Sequence, residues 1–369
     1  MTVEIEAVVI GAGQAGLSSA FHLRRLGVPA VVLDAADGPG GAWRHRSPSL
    51  TMDKIHGIFD LPGVTWEESG LLEPGAADAV RQAGRGPLPR EQARVVVPRY
   101  YADYERRTGL EVLRPVTVSS VTRTGSGLLV SADAGQWAAR AVVNATGTWS
   151  RPHWPYYPGA ADFRGRQLHY AGYDGPDGFA GRRVVVVGGG ASAMHVLSEV
   201  AGVADTVLWV TRRPPVWREE FGEQARRDAV ARVEARVRAG LPPTSVVGVT
   251  GLGSTAVVRE ALAKGALDRR PMFARVLPYG VAWADGSIAE IDTIVWATGF
   301  RSALDHLAPL KLREPGGGIK VDGTAVVREP RLQLVGYGPS ASTVGANRAG
   351  RAAARRVRDL LRAEALPAA

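Results

Sequence analysis

The 369-residue chain contains no cysteine. Disulfide frameworks, iron–sulfur clusters, thiolate zinc sites and a redox-active dithiol are therefore excluded together. Long apolar runs are missing too: no uninterrupted segment reaches the roughly 20 residues that span a bilayer. Nor does a basic, apolar and cleavage-site succession precede the strand-like run at Ile5, so neither a membrane span nor a secretory signal is expected, and the protein reads as cytoplasmic. Lysine is scarce. Of 45 basic residues only Lys54, Lys264, Lys311 and Lys320 are lysine, so the net charge of +9 rests on arginine. Beside abundant Ala and Gly this bias reads as codon composition. Aromatics make up only 7% of the chain and do not interleave with the arginine-rich stretches 81–107, 212–238 and 348–362 as a nucleic-acid platform requires. These stretches read as solvated surface, and no nucleic-acid partner is expected.

What is present points to two domains. With 45% hydrophobic and 22% charged residues, the chain can bury one large core or two medium ones, and two is the better prior at this length. Glu4 to Ile10 reads as a short buried strand, followed by Gly11-Ala-Gly13-Gln-Ala15-Gly16 and an amphipathic helix from Leu17 to Leu26. Glycine is required there for a tight turn, for close approach of backbone to a pyrophosphate, and for helix–strand contact, with the helix N-terminus receiving the phosphates. A second strand, Ala30 to Asp34, ends in a carboxylate at the distance where a ribose hydroxyl is bound.

Between 63 and 97 the chain is rich in Gly, Pro and Arg with little periodicity, and reads as a long surface excursion that roofs a substrate pocket. A helix is predicted from Pro98 to Arg107, and strands at Glu111–Val118 and Leu128–Ala132. Ala141-Val-Val ends a further strand at Asn144-Ala145-Thr146-Gly147.

The pattern then repeats. Arg183 to Val187 and Gly188-Gly-Gly190-Ala-Ser192-Ala193 restate the strand, glycine turn and helix, with alanine in the last glycine position as the fingerprint permits. Two such units mean two dinucleotides. The second unit's second strand, Thr206 to Thr211, ends in Arg212-Arg213 rather than an acid. Guanidinium groups bind a 2′-phosphate bidentately where an acid would repel it, so NADPH is predicted over NADH. His195, on the following helix, reads as packing against the sheet, since Glu199 at i+4 alone makes no metal site; no metal centre is expected. Gly251-Leu-Gly253 only mimics the fingerprint. Glu219 to Ala239, charged at nearly every turn, is predicted as an exposed helix of an inserted cap. Thr293 to Ala297-Thr298-Gly299 repeats the earlier Ala-Thr-Gly segment. A hairpin (Ile319 to Val327), a strand (Leu332 to Val335) and a closing helix from about Gly345 to Glu364 complete the chain.

Between the two halves lies Phe163-Arg-Gly165-Arg-Gln-Leu-His169-Tyr-Ala-Gly-Tyr173. Through Phe163, Gly165, His169 and Tyr173 it matches the Phe-x-Gly-x-x-x-His-x-x-x-Tyr signature, and with both fingerprints the chain resembles the class B flavoprotein monooxygenases, most closely short bacterial flavin-containing monooxygenases. Baeyer–Villiger enzymes end this motif in Trp-Pro or Trp-Asp; here Asp174 follows Tyr173.

The resemblance implies FAD and NADPH as cofactors, and an α/β fold of two Rossmann-like dinucleotide-binding domains with the NADPH domain inserted in the FAD domain. The expected boundaries are 1–157, 158–295 with a cap at about 219–275, and 296–369. It implies that Gly41 and Trp43, in a Gly-Gly-x-Trp turn, carry the chain past the FAD pyrophosphate, that backbone near Val118 meets adenine, and that the two Ala-Thr-Gly segments mark departures from the FAD and NADPH domains. FAD contacts are thus expected at Gly11, Gly13, Ala15, Gly16, Asp34, Gly41, Trp43, Val118, Ala145, Thr146 and Gly147. NADPH contacts are expected at Gly188, Gly190, Ser192, Ala193, Arg212, Arg213, Ala297, Thr298 and Gly299. Asp53 lies close to where Baeyer–Villiger enzymes keep an acid beside the flavin, and with Lys54 and His169 forms the candidate catalytic set. His169, on the interdomain linker, reads as coupling NADPH binding to domain arrangement rather than as a proton carrier.

The implied activity is monooxygenation: a flavin C4a-hydroperoxide formed from O2 donates oxygen to a soft nucleophile, a sulfide or amine of a small molecule. A cysteine-free NADPH-dependent reductase or oxidase, with quinone or O2 as acceptor, and Baeyer–Villiger oxygenation of a ketone are the alternatives. Partners are then a small-molecule substrate and O2, with a homodimer left open.

Overall fold

The computed structural model describes residues 2–55, 57–72, 75–81, 90–218, 223–244, 249 and 251–365. His56, the 82–89 stretch and the first four residues of the expected 219–239 helix lie outside the described residues. Two parallel sheets are built to one plan. In the first, Val112–Leu113, Ala30–Leu33, Thr2–Ile10, Gly135–Asn144 and Glu329–Leu334 lie side by side and parallel. In the second the order is Arg269–Pro271, Thr206–Thr211, Arg183–Val187, Thr293–Trp296 and Arg166–His169, again all parallel. Each central strand leads into a glycine turn and a helix, Gln14–Arg25 in the first unit and Ala191–Val200 in the second. Ligands of such sheets gather at the carboxyl ends of the strands, which is where both turns sit.

The strands are apolar without alternation because both of their faces are covered. Val184 and Val186 face one cluster with Met194 and Leu197, while Val185 and Val187 face another with Trp296 and Phe273. At about 1.5–3 kcal/mol per fully buried side chain, these valines outweigh the entropic cost of the glycines that follow. The first sheet is divided likewise: Ala7 and Val9 pack under the helices, and Val8 and Ile10 under the later hairpin.

Two connections join the units and run beside each other. His153 N donates to Gly299 O at 2.9 Å, Arg301 N to Arg151 O at 2.8 Å and Ala303 N to Gly147 O at 3.0 Å.

Four elements differ from their sequence reading, the first being the strand expected at Glu111–Val118: only Val112–Leu113 joins the parallel sheet, and Val118 opens a separate strand, Val118–Arg123, paired with Leu128–Ala132. The helix expected from Pro98 begins at Ala93 and carries Pro98 inside it; the proline ring is held against Gly40, where a Cβ would stand 2.7 Å from Pro98 Cγ. Part of the 63–97 excursion is structured by packing on the helix that follows it. Trp66 stacks on Tyr100 at 4.0 Å, and the Tyr100 hydroxyl donates to Val64 O at 2.6 Å while accepting from Leu61 N at 2.7 Å. The helix Glu223–Arg238 is not solvated on every side: Ala229, Val233 and Val237, spaced i, i+4, i+8, are buried. Val237 belongs to the first unit's core and contacts Gly338, so this segment of the second unit's chain docks back on the first.

The closing helix, Thr343–Ala365, lies along Gln14–Arg25. Gln14 Nε2 donates to Thr343 O at 2.7 Å and Asn347 Oδ1 at 3.2 Å, and Ser18 Oγ donates to Asn347 O at 3.1 Å. No helix among the described residues is long and apolar enough to cross a membrane.

Candidate functional site

In the first turn Gly11 has φ +96°, and a Cβ there would stand 2.7 Å from Ala145 O. A Cβ on Gly16 would stand 1.8 Å from Gly11 O. Gly13 is the exception: a side chain there would meet nothing within 4 Å, and as the helix N-cap it provides no side-chain hydrogen bond. The helix thus presents uncapped N–H groups to open space, the arrangement that receives a pyrophosphate. Gly41, with φ +51°, passes directly beside Gly13, its Cβ direction 2.9 Å from Gly13 Cα. The Gly-Gly-x-Trp turn therefore covers the glycine turn. Trp43 packs against the first core.

At the end of Ala30–Leu33, Asp34 is nearly buried and accepts from Arg114 Nε at 3.1 Å. Arg114 also forks onto Glu105 at 2.7 and 2.8 Å. Burial works against this cation, but Glu105 and Asp34 outweigh it and hold its pKa above the usual arginine value. Asp34 O accepts from Val116 N at 2.8 Å, so the chain meets Asp34 two residues before Val118. Asn144 Nδ2 donates to Thr146 Oγ1 at 3.1 Å, which in turn donates to Ala303 O at 2.6 Å; the first Ala-Thr-Gly segment is thus pinned above Gly11 and beside the connection to the second unit.

The second turn repeats this. Gly188 has φ +148°, its Cβ direction 2.2 Å from Ala297 O; Gly190 meets nothing within 4 Å and is again an N-cap without a side-chain hydrogen bond. Ala193 is fully buried. At the strand end Thr211 Oγ1 donates to Arg213 O at 2.7 Å, and Arg212 and Arg213 are exposed with no carboxylate partner among the described residues. Arg269, from the neighbouring edge strand, carries no signal in the sequence; its Nε donates to Thr211 Oγ1 at 2.7 Å, adding a third guanidinium at this corner. Thr298 Oγ1 donates to His153 O at 2.5 Å.

Between the turns lies the Phe163–Tyr173 stretch. His169 is 3% exposed. Its Nδ1 accepts from Ala171 N at 3.1 Å, so its Nε2 carries the proton donated to Gly299 O at 3.0 Å. Burial lowers its pKa, against the pull of the Gly299 carbonyl, and the neutral ring has both nitrogens spent on backbone. Asp53 accepts a hydrogen bond from Thr51 Oγ1. Lys54 points elsewhere, donating to Glu199 Oε1 at 2.9 Å.

Glu199 is the residue that sequence reasoning misses. It is 8% exposed and also accepts from Ser49 Oγ at 2.7 Å, Tyr173 Oη at 2.8 Å and His195 Nε2 at 3.2 Å. Burial would raise its pKa, but the bonds from His195, Ser49 and Lys54 prevail and pull it down. The His195/Glu199 spacing of four is the only signal in the sequence. Nearby, the Arg46 guanidinium lies 4.4 Å from the Trp149 ring and 5.4 Å from that of Trp43; burial depresses its pKa, with Tyr170 opposing.

The chain matches the family model of pyridine nucleotide-disulphide oxidoreductases over residues 8–241. It is 37% identical to a flavin-containing monooxygenase from Stenotrophomonas maltophilia, whose structure superposes with a TM-score of 0.79 over 96% of this chain and 98% of that one. Indole-3-pyruvate monooxygenase YUCCA4 of Oryza sativa subsp. japonica is 26% identical over 90% of this chain and 82% of its own length. A cyclohexanone monooxygenase structure, 19% identical, shares the fold with a TM-score of 0.65 over 99% of this chain and 89% of its own. With both glycine turns, the uncapped helices behind them and these likenesses in agreement, the chain belongs to the class B flavin-dependent monooxygenases, as an α/β oxidoreductase of the flavin-containing monooxygenase type.

Proposed function

We propose that the protein binds FAD at the Gly11–Gly16 turn and NADPH at the Gly188–Ala193 turn, and uses O2 to oxygenate a soft nucleophile of a small molecule, a sulfide or an amine. The observation that carries this reading is the contrast at the two strand ends, a near-buried Asp34 at one and exposed Arg212 and Arg213 at the other, each beside an uncapped helix that opens toward space at its Gly13 or Gly190 N-cap. Asp34 suits ribose hydroxyls and the arginine pair a 2′-phosphate. The flavin, once bound, supplies the electron transfer and oxygen activation.

The chain's own residues hold and shield. Gly41 closes over the first turn, Trp43 anchors that segment on the first core, and Gln14 ties the closing helix beside it. The Ala-Thr-Gly segments fix the backbone above each glycine. His169, the last residue of the second sheet's edge strand, is fastened to Gly299 and thus registers that sheet against the chain that returns to the first unit. With neither ring nitrogen available, its part is mechanical.

Stopped-flow mixing tests the reading. Under anaerobic conditions NADPH is expected to bleach a yellow protein much faster than NADH, and the reduced enzyme mixed with O2 to pass through a long-lived absorbance distinct from oxidised flavin. Direct return to oxidised flavin would assign an oxidase instead. Product analysis with a ketone, a sulfide and an amine separates Baeyer–Villiger from heteroatom oxygenation.

A further inference from the structure

Glu199 joins parts of the molecule that are distant in sequence. It sits on Ala191–Val200, the helix that starts at the second glycine turn. Of its four donors, His195 stands one turn back on that helix and Tyr173 ends the linker motif. The other two, Ser49 and Lys54, come from the first unit, in the loop that follows the Gly-Gly-x-Trp turn, 150 and 145 residues away in sequence. The network runs one step further. If His195 Nε2–H donates to Glu199, its Nδ1 accepts from the Tyr170 hydroxyl, 3.2 Å away.

A buried carboxylate stripped of its partners costs several kcal/mol. Moving the two units apart would leave Glu199 with its local donors only and Lys54 unpaired, so the carboxylate resists any displacement of the 47–55 loop from the helix. Apolar packing is permissive about small slides; a carboxylate with four directed donors is not. One side of this contact is continuous with the turn over Gly13, and the other with the helix behind Gly190. Among the contacts between the described residues of the two units, this carboxylate is the one that ties the two proposed dinucleotide sites together directly.

We propose that Glu199, acting through Lys54 and Ser49, is a positioning residue for hydride transfer: it fixes the 47–55 loop against the Ala191–Val200 helix and so holds the nicotinamide in register with the flavin. This rests on the reading of the two turns as nucleotide sites. It gives Lys54 a role different from contact with substrate.

The test is a cycle of Glu199→Gln, Lys54→Met and the double variant in the flavin-loaded enzyme, with Ser49→Ala as an independent probe of the same face should Glu199→Gln fail to fold. Anaerobic stopped flow reads the limiting rate of flavin reduction and the NADPH dissociation constant separately, and thermal unfolding reads the pair without any turnover. Each single variant is expected to slow the limiting rate by about 10- to 100-fold, the loss that a misplacement of about 1 Å brings, with the dissociation constant within about twofold of the parent. The double variant is expected to be no slower than the worse single, and its Tm loss smaller than the two single losses together. A role in stability alone would lower Tm and leave the limiting rate at the parental value, which would overturn the proposal; so would losses that multiply in rate and add in Tm. A parent that NADPH does not reduce would refute the nucleotide reading instead, and the Tm cycle would then still show whether Lys54 and Glu199 act as one unit.

Discussion

The two glycine turns are the same device under different constraints. At the first, Gly16 is obligatory, because a Cβ would fall 1.8 Å from Gly11 O, and the turn is covered by Gly41 from one side and flanked through Gln14 by the closing helix. At the second, alanine stands in the corresponding place, fully buried, and the strand end is an exposed arginine pair. The fingerprint's last position thus reports how tightly helix and strand approach, and under the proposed function the strand end sets which nucleotide is held.

If the turns differ in this way, the largest effect belongs to Gly16→Ala. Overpacking on backbone has no flexible side chain to absorb it, and a cost of about 3 kcal/mol or more is expected. The protein should purify without its yellow colour or fail to accumulate; a variant with parental flavin content, measured by absorbance against protein, would show that the first turn is as forgiving as the second. Next in size is the double replacement of Arg212 and Arg213 by alanine. Each charge-assisted contact to a phosphate is worth about 1.5–3 kcal/mol, and two exposed ones at the low end of that range amount to about 3 kcal/mol, so the KM for NADPH should rise by roughly 100-fold while that for NADH stays unchanged. Steady-state kinetics with both nucleotides decide it, and an equal loss for NADH would mean that the pair acts on something other than the 2′-phosphate. The smallest effect is expected for Ala193→Gly, which restores the full fingerprint. It should cost about 1 kcal/mol or less, from glycine inside a helix, visible as a small drop in Tm with unaltered nucleotide kinetics.

Much of this is legible in the sequence because the constraints are local. A tight turn, an N-cap open to phosphate and a strand-end charge are each written in a few consecutive residues, as at Gly11–Gly16, Asp34, Gly188–Ala193 and Arg212-Arg213. The parallel order of the strands follows from two repeats of one unit. What the sequence hides depends on contacts between distant segments. Lys54 stands out in the sequence as a charged loop residue, but nothing near it in sequence announces Glu199. The Glu223–Arg238 helix looks solvated by composition, and only the i, i+4 spacing of Ala229, Val233 and Val237 hints at a buried stripe; its partner, Gly338, is about 100 residues on. Pro98 reads as a helix start because proline favours that position. Its packing on Gly40 overrides that preference.

The insertion of one unit within the other also orders events during synthesis. Strand Gly135–Asn144 waits for its neighbour Glu329–Leu334, and Gln14–Arg25 for the closing helix, while every strand of the second sheet has been made by Trp296. At typical translation speeds of about 5–20 residues per second, the ribosome needs on the order of ten seconds or more between those two partners of the first sheet. The arginine-ended unit can therefore mature while the first still waits for its Glu329–Leu334 strand and for the helix that packs along Gln14–Arg25.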